Sequence, residues 1–349
     1  MSFSIIPQFA FICKSMNEYS FQKIEKVNWL SFMTDSTSNI AVLFPGQGSQ
    51  AVGMGKELAE KYPIAKRTFE EADEALGYKL SQLCFEGPED QLKLTEITQP
   101  AILTASVAAW RVLNGKGLKP ALVAGHSLGE YSAHVAAGTI SFADAVCTVR
   151  NRGKYMQEAV PVGMGGMAAI LGMDLEKVVA ICADAAQGEI CAPANINSPE
   201  QIAISGHAAP VERARKLAVE RGAKKAIALS VSAPFHSLLM KPAQERLAQD
   251  LDAIRFSDPS VPVVCNVDAA IVQNASASKD ALIRQVTGAV RWVDCMKLMI
   301  AKNVSTYVEV GPGKVLCGLM RQIDRSKTCT NVGDETSLQK ALEQMAVKA

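Results

Sequence analysis

Residues 121–129 read ALVAGHSLG, a short apolar run that ends in a G-x-S-x-G pentapeptide. The apolar run predicts a buried strand, and the residues after Gly129 have the composition of a helix. Ser127 then lies on a sharp turn, where only hydrogen atoms fit at the flanking glycines. Such a turn exposes a serine hydroxyl above a helix N-terminus, where backbone N–H groups favour an oxyanion. The segment therefore predicts an α/β protein with Ser127 as its candidate nucleophile.

The alternation of strand and helix continues on both sides of this turn. Apolar runs at Ile40–Phe44, Val261–Val267 and Ser305–Val310 predict further strands of an α/β fold with a largely parallel sheet. Between them, helices are expected at Lys56–Leu76 and Ile102–Leu113. Between residues 163 and 232 the order becomes strand, helix, strand, strand, helix, strand, which is the ferredoxin-like βαββαβ motif. We therefore predict a large α/β domain at 39–162 and 233–349, a ferredoxin-like small subdomain at 163–232, and a substrate cleft between them.

Composition narrows the possible partners and compartments. The 349 residues carry 36 Lys and Arg against 35 Asp and Glu, and a formal charge of +1 argues against nucleic acid or an anionic membrane surface as partner. Nine scattered cysteines, none spaced as C-x-x-C, argue against a disulfide framework or a zinc site and favour the cytoplasm. Residues 1–32 show no clear period, so we expect residues 1–38 to be an N-terminal extension. Either translation naturally starts at Met33, or the extension is a disordered tail.

A serine nucleophile needs a base, and the chain offers four histidines. His126 adjoins the serine and on a strand would point to the opposite face. His134 lies about two helical turns further on, which is out of reach. His207 falls in a turn of the small subdomain, where a surface position is expected. His236, in Pro-Phe-His-Ser at the return to the large domain, would face the cleft and is the predicted base.

The group that orients this histidine is left open by the sequence. Asp174 and Asp184 lie between Ser127 and His236 in chain order, as an acid of a hydrolase triad would. Both belong to the inserted unit, where a solvated helix face is their expected position. A backbone carbonyl that accepts the imidazole N–H would serve equally well, so a Ser-His dyad is sufficient.

The segment Phe44-Pro-Gly-Gln-Gly-Ser-Gln-Ala51 allows two interpretations. It fits G-x-G-x-x-A after a strand, a pattern typical of dinucleotide binding, and the acids Glu70, Glu71 and Asp73 follow about 20 residues later. Those acids fall inside a charged helix rather than at a strand end, which weakens this interpretation. The alternative is a loop whose backbone N–H is the second oxyanion donor, beside that of Leu128.

Six sequence blocks stand out along the chain: FPGQGSQ at 44–50, GHSLGE at 125–130, RGKYMQEA at 152–159, PANINSP at 193–199, PFHS at 234–237 and VEVGPGK at 308–314. In the same order, they resemble the malonyl-CoA:acyl carrier protein transacylases of fatty-acid synthesis and the related acyltransferase domains of polyketide synthases. The resemblance covers about Asn39–Ala346 and implies an α/β-hydrolase-like core with a ferredoxin-like insertion.

Carried over to this chain, the resemblance implies Ser127 as nucleophile and His236 as base. The backbone N–H groups of Gln47 and Leu128 would be the oxyanion donors. By residue context alone Arg152 would be a surface arginine, but the resemblance implies that its guanidinium binds the malonyl carboxylate as a bidentate partner.

Two further residues are implied to line the acyl pocket. Phe235 would exclude an α-methyl branch, and Asn195 would line the cleft. One departure concerns the segment whose carbonyl orients the histidine: several relatives have Asn-Pro-Val before the residue that precedes Trp, whereas this chain has Gly288-Ala-Val-Arg-Trp292. Because that contact uses the main chain, a changed side chain does not by itself remove it.

The implied reaction moves a malonyl group from malonyl-CoA to the phosphopantetheine thiol of acyl carrier protein through an O-malonyl-serine, with ping-pong kinetics. We expect a monomeric cytoplasmic enzyme that uses no metal or cofactor, malonyl-CoA being a substrate. Three alternatives stay open at this stage. They are a serine esterase or thioesterase, a dinucleotide-dependent oxidoreductase and a non-catalytic carrier-docking module.

Overall fold

A computed structural model describes residues 39–229, 231 and 233–346. The predicted N-terminal extension at 1–38 lies outside these residues. The strands are β1 Ile40–Phe44, β2 Leu122–Gly125, β3 Gly165–Leu171, β4 Cys191–Ser198, β5 Gln201–His207, β6 Lys225–Ala228, β7 Val263–Cys265, β8 Ala270–Val272, β9 Thr306–Val310 and β10 Thr328–Val332.

The α-helices lie between these strands and after the last one. They are α1 Lys56–Lys61, α2 Pro63–Leu76, α3 Leu80–Glu86, α4 Glu89–Leu92, α5 Thr95–Gly115, α6 Gly129–Ala136, α7 Phe142–Glu158, α8 Leu175–Ala186, α9 Ala208–Glu220, α10 Lys241–Ala253, α11 Ala275–Gln285, α12 Trp292–Ala301, α13 Val315–Ile323 and α14 Glu335–Ala346. A 3₁₀ turn at Leu238–Met240 precedes α10. Among the described residues, no helix is both long and apolar enough to cross a bilayer.

The large sheet has the strand order β10-β9-β1-β2-β7-β8. All neighbours pair in parallel except β7 and β8, which form an antiparallel edge. The structure thus confirms a mixed α/β fold with a largely parallel sheet. β1 and β2 are buried almost completely, as expected for central strands covered on both faces by helices. Their carboxyl ends carry the two glycine-rich turns, and parallel strands bring those turns to one edge of the sheet.

A second sheet of four antiparallel strands has the order β4-β5-β3-β6. Along the chain its elements run β3, α8, β4, β5, α9, β6, which is the βαββαβ order. α8 and α9 cover one face and enclose their own core around Ile170, Ile181 and Ile202. β4 also forms hydrogen bonds outside the small sheet, to Val290 just before α12. Ile196 N–H donates to the Val290 carbonyl, and Val290 N–H donates to the Ala194 carbonyl.

Two helices differ from the sequence prediction. A single helix expected over Lys56–Leu76 is broken at Tyr62, because Pro63 forces the preceding residue into an extended conformation and opens a new helix. A helix expected to begin at Ile102 begins instead at Thr95 and carries Pro100 inside it. Tertiary packing accounts for this, since most of α5 is buried between α2 and α7.

The cysteine prediction is also wrong at one place. Cys317 on α13 and Cys329 on β10 form a disulfide, although the scattered cysteines gave no sign of a pair. The two residues are brought together because β9 and β10 are parallel neighbours with α13 as their crossover. The turn Gly311-Pro-Gly-Lys314 connects β9 to α13.

Candidate active site

Ser127 and His236, 109 residues apart in the chain, meet in a cleft of about 160 Å³. The Ser127 Oγ lies 2.7 Å from His236 Nε2. Ser127 follows β2 and precedes α6, while His236 lies between β6 and α10, where the chain returns from the small sheet. The arrangement has the geometry in which an imidazole accepts a serine proton.

Backbone strain marks both residues. Ser127 has φ 52° and His236 has φ 56°, in the left-handed region that non-glycine residues seldom adopt. The neighbouring glycines permit the Ser127 turn: a Cβ at Gly125 would overlap the backbone of Gly129, and a Cβ at Gly129 would overlap the Phe44 carbonyl. The steric reasoning from the pentapeptide therefore matches the packing that surrounds it.

Asn266, which directly follows β7, forms two hydrogen bonds to the Ser127 turn. Its Oδ1 accepts the Ser127 N–H at 2.7 Å, and its Nδ2 donates to the Gly125 carbonyl at 2.8 Å. Because the side chain is wholly buried, these bonds do not compete with water. Asn266 thus stabilises the strained conformation that presents the Ser127 hydroxyl.

Main-chain carbonyls orient the base. His236 Nδ1 lies 3.0 Å from the Gln285 carbonyl oxygen and 3.1 Å from that of Gly288, so Nδ1 carries the proton and Nε2 is the acceptor. The two candidate acids lie elsewhere. Asp174 caps α8 and pairs with Lys177, and Asp184 pairs with Arg221. Of the two alternatives left by the sequence, the geometry favours a dyad oriented by backbone.

Two backbone N–H groups at the cleft are available for an oxyanion. Gln47 and Leu128 both line the cavity, and neither N–H donates a hydrogen bond within the described part of the chain. Gln47 belongs to the loop after β1, and that loop packs against the turn so closely that a Cβ at Gly46 would overlap the His126 carbonyl. This packing brings the two loops together, as two converging donors require.

Arg152 is buried rather than on the surface, with 2% of the residue exposed. Its Nη1 donates to Gln99 Oε1 at 2.7 Å, and its Nη2 donates to Gln285 Oε1 at 3.0 Å and to Ser127 Oγ at 3.2 Å. Its Nε has no partner, and within the described residues it forms no salt bridge. A buried guanidinium held only by neutral oxygens is a site for an anionic group.

Charge and burial lower the pKa of the base. Burial is the main cause and the Arg152 cation the next, and together they lower the pKa of His236 to about 3. The imidazole is therefore neutral at pH 7 and able to accept a proton. Burial also raises the pKa of Glu130, beneath the turn, to about 7.

The remaining predicted pocket residues also face the cleft. Phe235 is buried against it, and Asn195 lines its small-sheet side. His126 was expected on the opposite face, but it lines the same cavity, with Nε2 2.8 Å from Asn197 Oδ1. The strand alternation does not extend to this position, because β2 ends at Gly125 and His126 lies outside the strand.

Four functional neighbours escaped the sequence reasoning: Gln99, Glu130, Asn266 and Gln285. Glu130 stands in the GHSLGE block and would have been found by treating every residue of that block as a candidate. The other three stand in no motif, and only their contacts reveal them.

Other kinds of site find little support. The acids Glu70, Glu71 and Asp73 lie on α2, not at the end of a second strand where a ribose-binding acid belongs. Within the part of the chain that the structure covers, no three His, Cys, Asp or Glu side chains are grouped to hold a metal ion. The cleft is the site with defined chemistry.

Comparison with known proteins agrees with this chemistry. Residues 42–348 match the family model described as "Acyl transferase domain". The malonyl CoA-acyl carrier protein transacylase of Salmonella typhimurium is 51% identical over 308 residues, which cover 88% of this chain and 100% of that protein. The crystal structure of an acyl carrier protein S-malonyltransferase from Vibrio cholerae is 50% identical, with a TM-score of 0.86, covering 87% of this chain and 100% of that one.

A further solved structure contains a partner. A malonyl-transacylase in complex with its type II polyketide-synthase acyl carrier protein is 48% identical to this chain. Its TM-score is 0.86, and the match covers 88% of this chain and 100% of that one.

Proposed function

We propose that this chain, which belongs to the malonyl CoA-acyl carrier protein transacylases, moves a malonyl group from malonyl-CoA to the phosphopantetheine thiol of acyl carrier protein. As a member of the acyl transferase family it is an acyltransferase. One observation supports the malonyl group above all others. Arg152, a buried cation held only by neutral oxygens, lies 3.2 Å from the nucleophilic oxygen.

The first half-reaction acylates Ser127. His236 Nε2 takes the hydroxyl proton while Ser127 Oγ attacks the thioester carbonyl, and the backbone N–H groups of Gln47 and Leu128 hold the oxyanion. CoA leaves as the thiol with the proton from His236, and an O-malonyl-serine remains. The carrier-protein thiol then gives its proton to His236 Nε2 and attacks that ester. The bond between the malonyl group and Ser127 Oγ breaks, Ser127 takes up the proton from His236, and the thiol keeps the malonyl group, so the kinetics are ping-pong. This sequence of steps uses no metal or cofactor.

The substrate carboxylate also makes His236 a stronger base. Arg152 lowers the pKa of His236, so a carboxylate paired with the guanidinium offsets part of that effect. The imidazolium that forms during attack is then less unfavourable. A thioester without a carboxylate gives no such compensation, which favours malonyl over acetyl groups in the rate as well as in binding.

The remaining features complete the proposal. The large sheet is assigned to a hydrolase-like core at 39–162 and 233–349, and the small sheet to a ferredoxin-like subdomain at 163–232. Phe235 limits the room for an α-methyl branch, and Asn195 lines the opposite wall. We expect a cytoplasmic monomer, with acyl carrier protein docking over the cleft.

Intact-mass measurement tests the proposal. Mixed with malonyl-CoA, the protein should gain one malonyl group, which holo-acyl carrier protein then removes while gaining the same mass. Ser127→Ala should show no adduct, and Arg152→Ala should lose the preference for malonyl-CoA over acetyl-CoA. Free malonate without transfer would instead indicate an esterase or thioesterase, and equal labelling of the wild type by both thioesters would refute the role of Arg152.

A further inference from the structure

The side chain of Gln285, the last residue of α11, contacts both Arg152 and the turn that carries Ser127. Its Oε1 accepts from Arg152 Nη2 at 3.0 Å. Its Nε2 donates to the Ser127 carbonyl at 3.0 Å and to Glu130 Oε2 at 2.8 Å. The side chain is wholly buried, so these bonds form without competition from water.

The surroundings allow the amide only one orientation. Its nitrogen faces three oxygens, those of the Ser127 carbonyl, Glu130 Oε2 and Asn266 Oδ1, the last at 3.5 Å. Its oxygen faces a guanidinium, which only donates. A reversed amide would set its NH₂ group against Arg152 and its oxygen against the other oxygens. These oxygens, of which Glu130 Oε2 is itself fixed by the Asn266 N–H at 2.9 Å, therefore determine that an acceptor faces Arg152.

The neutral charge of this acceptor matters as much as its position. Gln285 and Gln99 hold the two terminal nitrogens of Arg152 from different sides, 3.0 and 2.7 Å away, without cancelling the charge. A guanidinium has five N–H donors, so others stay available for an incoming carboxylate. A carboxylate in either place would instead form an internal ion pair that competes with the substrate.

We propose that Gln285 is a positioning residue for acyl specificity. Its side chain holds Arg152 in the orientation that receives the substrate carboxylate, and Glu130 and the Ser127 carbonyl set the direction of the amide. The inference rests on the proposed function. It is separate from the contact between the Gln285 main-chain carbonyl and His236, because that contact survives a change of side chain.

Gln285→Met tests the side chain alone, since it keeps the length and the main-chain carbonyl. We expect the rate of Ser127 acylation by malonyl-CoA to fall about tenfold further than the rate with acetyl-CoA, which has no carboxylate to place. Gln285→Asn is the second variant: it retains an amide but is one methylene too short to reach both Glu130 and Arg152, and the same selective loss is expected. Gln244→Met, at a buried glutamine on α10 that donates to the Ile283 carbonyl, is the matched control and should alter neither rate.

The outcomes separate this inference from the proposed function. If Gln285→Met and Gln285→Asn slow both thioesters equally, the side chain only supports the fold and the inference is wrong. If the wild type itself shows no preference for malonyl-CoA, or keeps that preference in Arg152→Ala, the proposed function fails first. A preference lost in Arg152→Ala and reduced in both Gln285 variants supports both.

Discussion

Gln99→Glu should turn Arg152 from a substrate site into one half of an internal ion pair. The substitution replaces one NH₂ group by an oxygen, so it changes the charge and hardly the volume. Gln99 Oε1 already lies 2.7 Å from Arg152 Nη1, and both side chains are almost fully buried. A carboxylate there would remain ionised, because the cation favours its charged form.

The size of the effect follows from the contact that the substrate must replace. Hydrogen bonds to charged groups contribute about 1.5–3 kcal/mol net, and pairs in which both partners are charged are at the strong end. If malonyl-CoA must displace that pair, kcat/KM should fall about 10- to 150-fold at about 1.4 kcal/mol per factor of ten. Acetyl-CoA brings no carboxylate, so its kcat/KM should change much less.

The assay measures the acylation of Ser127 by each thioester under single-turnover conditions. The decisive quantity is the ratio of the malonyl to the acetyl rate. Gln99→Met, which removes the oxygen without adding charge, controls for the lost hydrogen bond and should lower this ratio less. An unchanged ratio in Gln99→Glu would refute the idea that the neutrality of the acceptor keeps Arg152 available.

Three further predictions concern stability and specificity. Burial lowers the pKa of His134 to about 3, against about 6.5 in an unfolded chain, so unfolding takes up a proton below pH 6.5. The free energy of unfolding should therefore fall by about 1.4 kcal/mol per pH unit for this group as the pH drops towards 3. Urea titrations of His134→Leu should show a flatter pH dependence of this free energy. A slope identical to that of the wild type would contradict the role of His134 burial. Gly129→Ala should prevent folding, because its Cβ overlaps the Phe44 carbonyl. Gly318→Ala, on the open side of α13, should instead add about 0.5–1 kcal/mol of stability. Equal denaturation midpoints for the two variants would count against the steric reasoning. Phe235→Ala should raise kcat/KM for methylmalonyl-CoA relative to malonyl-CoA about tenfold, and a constant ratio in competition assays would exclude Phe235 as the limit on branching.

A large part of the active site can be predicted from local patterns in the sequence. The pentapeptide at 125–129 places Ser127 on a strained turn because the two glycines satisfy a steric need that lies within a few residues. Distance along the chain excludes His134, and the return of the chain to the large domain favours His236, but the exclusion of His126 rested on a strand alternation that the structure does not follow. The periodicity predicts most strands, including β1, although it misses β8, β10 and the break at Tyr62.

Other features depend on contacts that no local period records. The sequence alone placed Arg152 on the surface, and only packing shows that it is buried with Gln99 and Gln285, which lie 53 and 133 residues away. Asn266 supports a turn 139 residues earlier in the chain.

The sequence by itself therefore determined the α/β class, the turn and its nucleophile, because these follow from steric and periodic rules over short spans. The tertiary structure alone decided what surrounds them. A buried charge or amide is defined by the partners that replace its water, and those partners come from α5, α7 and α11, which meet only in the folded chain.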